Sequence, residues 1–195
     1  MAYAQQQRWE SAEQAFLAAR TDTLPENAVQ RARLAAMAGN SALADARYEN
    51  ALADLGMASV DASNAQDAML SGDLEVDRSR ALVALGRTGE AKAALERARR
   101  DSPLNADGWL LSATLARRDG DLAAAQTYIS TAAGLDPKNP LIGLEAGVIS
   151  ALGGNDDAAR KSFQSVVSIA PGTPEAETAK GYLAQLGAPA DKAAE

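Results

Sequence analysis

The sequence between residues 106 and 140 decides the fold, and it reads ADGWLLSATLARRDGDLAAAQTYISTAAGLDPKNP. Two apolar segments with helical spacing flank Gly120, and Pro137 follows the second of them. Glycine accepts the positive φ with which many helices end, whereas proline cannot continue a helix. The stretch therefore predicts two helices that are joined by a turn at Gly120 and closed by Pro137.

The same pattern recurs at one constant spacing along the chain. Four columns share this spacing: Gly86, Gly120 and Gly154; Ala91, Ala125 and Ala159; Leu95, Ile129 and Phe163; Pro103, Pro137 and Pro171. The glycines predict turns, the alanines allow the two helices of a unit to approach closely, and the prolines end each unit. A short polar residue follows each turn, which predicts N-caps at Thr88, Asp121 and Asn155.

This pattern resembles the tetratricopeptide repeat, a helix-turn-helix unit whose period is about 34 residues. In the unit that begins at Ala106, the characteristic positions of the family hold Trp109, Ala113, Gly120, Ala125, Ile129, Ala132 and Pro137. The resemblance implies an all-α fold, a right-handed superhelical solenoid of antiparallel helix pairs. It also implies a protein that binds other proteins and is not an enzyme.

The repeats predict the domain organisation. We expect a single solenoid over residues 1–187, followed by a disordered tail at 188–195. The solenoid is predicted to contain a partial repeat at 1–24, full repeats at 25–58, 72–105, 106–139 and 140–173, and a capping helix at 174–187. Because the first repeat is partial, we expect the natural protein to extend further at its amino terminus; a true start with a short cap is the alternative.

The repeat at 25–58 follows the pattern less closely. Gly39 takes its turn position, and no proline closes it. Residues 59–71 then form an insertion, which is either a loop or a backward extension of the next helix. We favour a partial extension, because Asn64 is an acceptable N-cap and the apolar spacing beyond it is helical.

Composition excludes several classes of function. The chain has no cysteine and no histidine, which removes thiol nucleophiles, imidazole bases and the usual zinc ligands. We therefore expect no catalytic residue, no metal and no cofactor. The net charge of -7 disfavours general binding of nucleic acid, and Arg97, Arg99 and Arg100 are interpreted as a solvated helix end.

The sequence says little about location. It contains neither a signal peptide nor an apolar run long enough for a transmembrane helix. We expect a soluble protein of the cytoplasm or periplasm, with any targeting signal upstream of this chain. The alanine-rich, histidine-free composition favours a bacterial origin.

The resemblance also predicts where a ligand binds. In this family the concave wall is built from the first helix of each repeat. The matching positions give a predicted peptide-binding groove of Val29, Arg33, Val76, Arg80, Leu110, Thr114, Arg117, Leu141, Leu144 and Val148. Its apolar residues also fit plain packing between helices. The row Leu141, Leu144 and Val148 favours binding more strongly, since a large exposed apolar patch requires a cover: a ligand, the tail or another copy.

The leading interpretation is an interaction scaffold or adaptor that holds a protein or peptide segment in this groove. The alternative is a self-associating module whose groove or incomplete repeat end receives another copy. Hydrolysis by a carboxylate pair such as Asp156 and Asp157 is disfavoured, because adjacent residues on a helix point apart. The lysine, asparagine and arginine clamp with which some members of the family bind the carboxyl terminus of chaperones is absent.

Overall fold

A computed structural model describes residues 2–186, with side chains from residue 8 onward. Ten α-helices and no strand lie in this range. They are α1 (Ala2–Asp22), α2 (Ala28–Ala44), α3 (Tyr48–Asn64), α4 (Ala68–Ala84), α5 (Thr88–Asp101), α6 (Ala106–Arg118), α7 (Leu122–Leu135), α8 (Pro140–Leu152), α9 (Asp156–Ile169) and α10 (Pro174–Gln185). The predicted all-α helical-repeat fold is confirmed. The described residues divide into an N-terminal unit that ends at Gly108 and a C-terminal unit that begins at Trp109.

Helices α2, α3 and α4 are longer than the helices that follow them, and the repeat they form is longer too. Helices α2, α3 and α4 have 17 residues each, whereas α6 and α8 have 13. Each of the three long helices ends in a turn with one residue at positive φ, and these evenly spaced residues are Ala46, Gln66 and Gly86. The helix pair from Ala46 to Gly86 is therefore longer than the pair from Gly86 to Gly120.

The turn predicted at Gly39 is therefore wrong. Gly39 lies inside α2 and is buried, and the turn follows at Ala46 with φ 56°. A Cβ on Gly39 would stand 2.6 Å from Cγ of Leu55, so glycine is needed here because α2 and α3 approach closely. Sequence alone does not distinguish this use of glycine from its use at a turn.

The predicted insertion at 59–71 consists mostly of helix. Helix α3 continues to Asn64, and α4 begins at Ala68. Asn64 is therefore the last residue of α3, and its prediction as an N-cap is wrong. Asp67 caps α4 instead, because its carboxylate accepts a hydrogen bond from Leu70 N at 2.9 Å.

The C-terminal unit follows the predicted pattern. Gly120 and Gly154 have φ of 83° and 75°, and the next residues, Asp121 and Asn155, accept hydrogen bonds from the amides of Ala124 and Ala158. The matching cap at Thr88 is wrong, since the position equivalent to Asp121 is Arg87, which has no capping hydrogen bond. The side chain of Arg87 instead binds Glu90 through two hydrogen bonds of 2.7 Å.

The second helices end where the prolines predict, with α5 at Asp101, α7 at Leu135 and α9 at Ile169. Helix α10 corresponds to the predicted capping helix. Tyr182 and Leu183 of α10, and Leu186 just after it, pack in a buried cluster with Ala159, Phe163 and Val166 of α9. The tail predicted at 188–195 lies outside the described residues.

Candidate peptide-binding surfaces

In the N-terminal unit, a chain of polar contacts links the first helices of successive repeats, which are α2, α4 and the start of α6. Arg80 of α4 donates hydrogen bonds to carboxylate oxygens of Asp77 and Asp107, both at 2.5 Å. Asn40 of α2 donates to the second oxygen of Asp77 at 3.0 Å. We name Asn40, Asp77, Arg80 and Asp107 the polar row. The charge of Arg80 is thus already compensated by two carboxylates within the chain.

Three predicted groove residues of the N-terminal unit occupy different places from those the sequence suggested. Val76 is only 2% exposed and packs in the interior of the unit. Val29 and Arg33 line a separate cavity of about 490 Å³ at the start of α2, together with Glu26, Asn27, Ala28 and Gln30. Because the turn lies at Ala46, the residues equivalent to Val76 and Arg80 are Ala36 and Asn40. The sequence does not point to Asn40, because its pattern indicates Gly39, and not Ala46, as the turn residue.

The C-terminal unit presents an apolar stripe on one face of α8. Leu141 and Leu152 are 50% and 58% exposed, and between them Leu144 and Val148 are half-buried against the cluster that contains Phe163. Eleven residues separate the two exposed leucines, which corresponds to three turns and returns to the same helix face. We name Leu141, Leu144, Val148 and Leu152 the α8 stripe. Leu152 was missed in the sequence, although its spacing from Leu141 signals it.

The remaining predicted residues of this unit lie on α6. Leu110 is half-buried, and the hydroxyl of Thr114 donates to Leu110 O at 3.2 Å. Nε of Arg117 donates to Glu145 of α8 at 2.6 Å, and a second nitrogen donates to the other carboxylate oxygen at 3.3 Å. This bond joins α6 to α8, but it also neutralises a cation of the predicted groove.

Other charged groups have ordinary structural roles. Asp156 and Asp157 lie in the first turn of α9, and Glu175 and Glu177 lie in the first turn of α10, where acidic residues favour the helix dipole. In the arginine cluster, Arg97 binds Glu75 at 2.8 Å and Arg100 binds Asp101 at 2.8 Å. The hydrogen bond from Arg100 lowers the pKa of Asp101.

Neither a metal-binding cluster nor a membrane-spanning helix lies within the described residues. Within residues 2–186, no three carboxylates are grouped so that they could hold a metal ion. In the same range, no helix combines the length and the apolar character that are needed to cross a bilayer.

Comparison with known proteins identifies the fold. Among solved structures, the chain is similar to YrrB, described as a TPR protein with an unusual peptide-binding site, with TM-score 0.60, 23% identity and coverage of 77% of this chain and 74% of that chain. It is similar to a thermophilic TPR protein of Thermus thermophilus, with TM-score 0.61, 23% identity and coverage of 84% and 81%. MamA from Desulfovibrio magneticus gives TM-score 0.59, 15% identity and coverage of 85% and 94%.

Comparison of the sequence itself gives the family. Curated proteins show no significant match. A family model described as tetratricopeptide repeat matches twice, over residues 76–140 and 110–174, and the two matches together span half of the chain. They include Gly86, Gly120 and Gly154, which the structure places at positive φ in the turns between helices. The chain therefore belongs to the tetratricopeptide repeat family.

Proposed function

We propose that this protein is an interaction scaffold that binds a protein or peptide segment, with the α8 stripe as its principal apolar contact. The observation that carries the proposal is the exposure of Leu141 and Leu152 at the two ends of one helix face. Membership of a repeat family whose members bind proteins supports the same class of function. The peptide-binding site named for the YrrB structure supports it further, as a property of that protein.

The dimensions of the α8 stripe suit a short segment. Eleven residues of helix rise about 16 Å, which is the length of roughly five residues of extended peptide. Covering an exposed leucine fully stabilises a complex by about 1.5–3 kcal/mol. Leu141 and Leu152 are exposed and can supply this contact. Part of the surface of Leu144 and Val148 is already buried against the core of the unit.

The charges suggest a ligand whose affinity depends little on ion pairs. Arg80 and Arg117 belong to the predicted groove, but each is bound to carboxylates of the chain. Arg33 and Arg118 are exposed, and they remain the cations of the predicted groove helices that a ligand could reach. Apolar contact should therefore dominate the affinity, with a smaller contribution from charge.

The proposal can be tested with a displayed library of short peptides selected against the whole chain. Peptides that bind the parent are measured by fluorescence polarisation against Leu141→Asp and Leu152→Asp. A carboxylate at either end of the stripe should weaken binding by roughly tenfold or more, because the ligand would have to desolvate it. Thermal melting checks that both variants fold.

Ile169→Asp is the matched control, because Ile169 is an exposed apolar residue of the same unit but lies on α9. It should bind the selected peptides like the parent. Equal binding by Leu141→Asp, Leu152→Asp and the parent would show that the α8 stripe is not the site.

Self-association is the alternative occupant of the same stripe, since the exposed leucines could equally pack on a second copy. Sedimentation velocity over a wide concentration range distinguishes the two. A monomer at all concentrations supports a foreign ligand. A dimer that Leu141→Asp dissociates would instead favour a self-associating module.

A further inference from the structure

Helix α1 is connected to α3 by two charged contacts that differ in kind. Glu13 and Arg20 of α1 stand seven residues apart, and so do their neighbours on α3, Asp54 and Asp61. Seven residues are about two helical turns, so each pair lies on one face of its helix. We name the contact of Arg20 with Asp61 the upper rung and that of Glu13 with Asp54 the lower rung.

The upper rung pairs opposite charges. Nε of Arg20 donates to Asp61 Oδ2 at 2.7 Å, and Arg31 of α2 lies 3.5 Å from the other oxygen. Arg31 also donates to the backbone oxygens of Arg20 and Thr23, at the end of α1. One buried carboxylate and two cations thus hold α1, α2 and α3 together.

The lower rung brings two carboxyl groups together. Glu13 and Asp54 are 2% and 4% exposed, and the two carboxyl groups are close enough to interact. Arg47, in the turn before α3, pairs with Glu13 and also binds Asp45 at 2.7 Å. The Arg47 guanidinium thus already pairs with two carboxylates, those of Glu13 and Asp45.

Asp54 is the group left without compensation. Its Oδ2 atom is buried and has no hydrogen-bond donor among the described residues. Two carboxylates in contact can form a hydrogen bond only when one of them carries a proton. Burial, and then the neighbouring Glu13, raises the pKa of Asp54 to about 6, against the opposing effect of Arg47.

The other helices that pack against α3 do not supply the missing cation. On α2, Arg31 is engaged by Asp61 and Arg33 is exposed. The charged residues of α4 pair elsewhere: Asp73 with Ser102 and Asn105, Glu75 with Arg78 and Arg97, and Asp77 with Arg80.

We propose that the docking of α1 on the N-terminal unit is coupled to the binding of one proton by Asp54 in the lower rung. In the docked state the protonated acid donates to Glu13, and α1 is held by both rungs. When the proton is lost, two carboxylates repel each other across the α1–α3 contact, and α1 keeps the upper rung and its packing against α2. The device makes α1 a helix that undocks more readily as the pH rises.

The direction of the pH dependence follows from the linkage between proton binding and folding. An acid whose pKa is raised on folding favours the folded arrangement while it is protonated. The lower rung is therefore strongest below the ordinary aspartate pKa of about 4. Its contribution is lost progressively as the pH rises through about 6, the pKa of Asp54 in the folded chain.

Hydrogen exchange of the α1 amides in the whole chain tests this proposal, with Asp54→Asn as the variant. The neutral amide imitates the protonated acid, so α1 should exchange more slowly in the variant than in the wild type at neutral pH. We expect the ratio of the two exchange rates to shrink roughly tenfold between about pH 7.5 and pH 5, which corresponds to one pKa unit. Because the ratio is taken at a single pH, the intrinsic pH dependence of exchange cancels. Amides of α9 and α10, in the other unit, should show no difference.

Asp61→Asn is the matched control, because it removes the upper rung, which pairs opposite charges. It should speed α1 exchange by a similar factor at both pH values. A ratio for Asp54→Asn that does not change with pH would overturn the proposal, and so would slower α1 exchange in the wild type at pH 7.5 than in the variant.

A second readout, which does not use Asp54→Asn, tests the proposal even if that variant folds poorly. The sequence has two tryptophans, so Trp109→Phe leaves Trp9 of α1 as a single fluorescent reporter, 37% exposed in the docked state. Its emission should shift to longer wavelength as the pH rises from about 5 to 7.5, because the ring gains contact with water. An emission maximum that stays constant over this range would also overturn the proposal.

Discussion

Glycine occupies two physically different kinds of position in this chain, and a sequence does not separate them. Gly120 and Gly154 hold a positive φ at a turn, with open space where a Cβ would stand. Gly39 and Gly147 lie inside helices, where a Cβ would collide with Leu55 or with the ring of Phe163. These two positions are equivalent in the two units, since both are where a first helix meets the bulky apolar residue of the second.

Gly147→Ala should therefore destabilise the C-terminal unit. The added methyl would stand 2.6 Å from Cδ1 of the buried Phe163, so the ring or α8 has to move. We expect a loss of about 1–3 kcal/mol in the free energy of unfolding, measured by urea denaturation.

Gly134→Ala is the control for that measurement. Gly134 lies in α7, is exposed and has open space around it, so alanine should raise stability by up to about 1 kcal/mol through its higher helix propensity. If both substitutions stabilise the protein, α8 and α9 do not pack as closely as described.

At the scale of helices and turns, the sequence predicted the C-terminal half well and the N-terminal half poorly. From Gly86 onward, glycine at the turn and proline at the end of each unit mark both boundaries. In the N-terminal half the turn residues are Ala46 and Gln66, which carry no such signal. The constant spacing of the later repeats therefore indicates a turn at Gly39. Because the real turn lies at Ala46, the predicted groove residues Val29 and Arg33 are not at the positions equivalent to Val76 and Arg80.

The strain at these turns makes a stability prediction. A non-glycine residue in the left-handed region costs roughly 1–2 kcal/mol, and glycine does not bear this cost. Ala46→Gly should therefore raise the melting temperature, with a gain of about 0.5–1 kcal/mol after the greater entropy of the unfolded chain is subtracted.

Ala44→Gly provides the comparison, because Ala44 is the last helical residue of α2, two positions before Ala46. It should lower stability by about 0.5–1 kcal/mol. A melting temperature that falls equally in both variants would contradict the positive φ at Ala46.

At the scale of the whole molecule, family and fold follow from sequence, whereas the state of the charged groups does not. The spacing of residues shows which side chains share a helix face, but not which carboxylate stands beside which arginine. Arg80 and Arg117 are the examples, since their partners Asp107 and Glu145 come from neighbouring repeats 27 and 28 residues away. The lower rung was not predicted either, because Glu13 and Asp54 meet only through tertiary packing.

These internal pairs predict a weak salt dependence of ligand binding. If apolar contact dominates, the affinity of a selected peptide should change by less than about threefold between low salt and physiological ionic strength, over which the Debye length falls from about 30 to 8 Å. Isothermal titration calorimetry at the two ionic strengths measures this. A tenfold loss of affinity would show that ion pairs, and not the α8 stripe, supply most of the binding energy.

Site-specific photo-crosslinking in cells tests the central claim, that the α8 stripe is the binding surface, most directly. A photoreactive side chain is placed at Leu141, at Leu152 or at the control position Ile169, all of which are exposed on the C-terminal unit. We predict a shared adduct of one defined mass from the two stripe positions and none from Ile169. An adduct from Ile169 alone, or the same adducts from all three positions, would contradict the account.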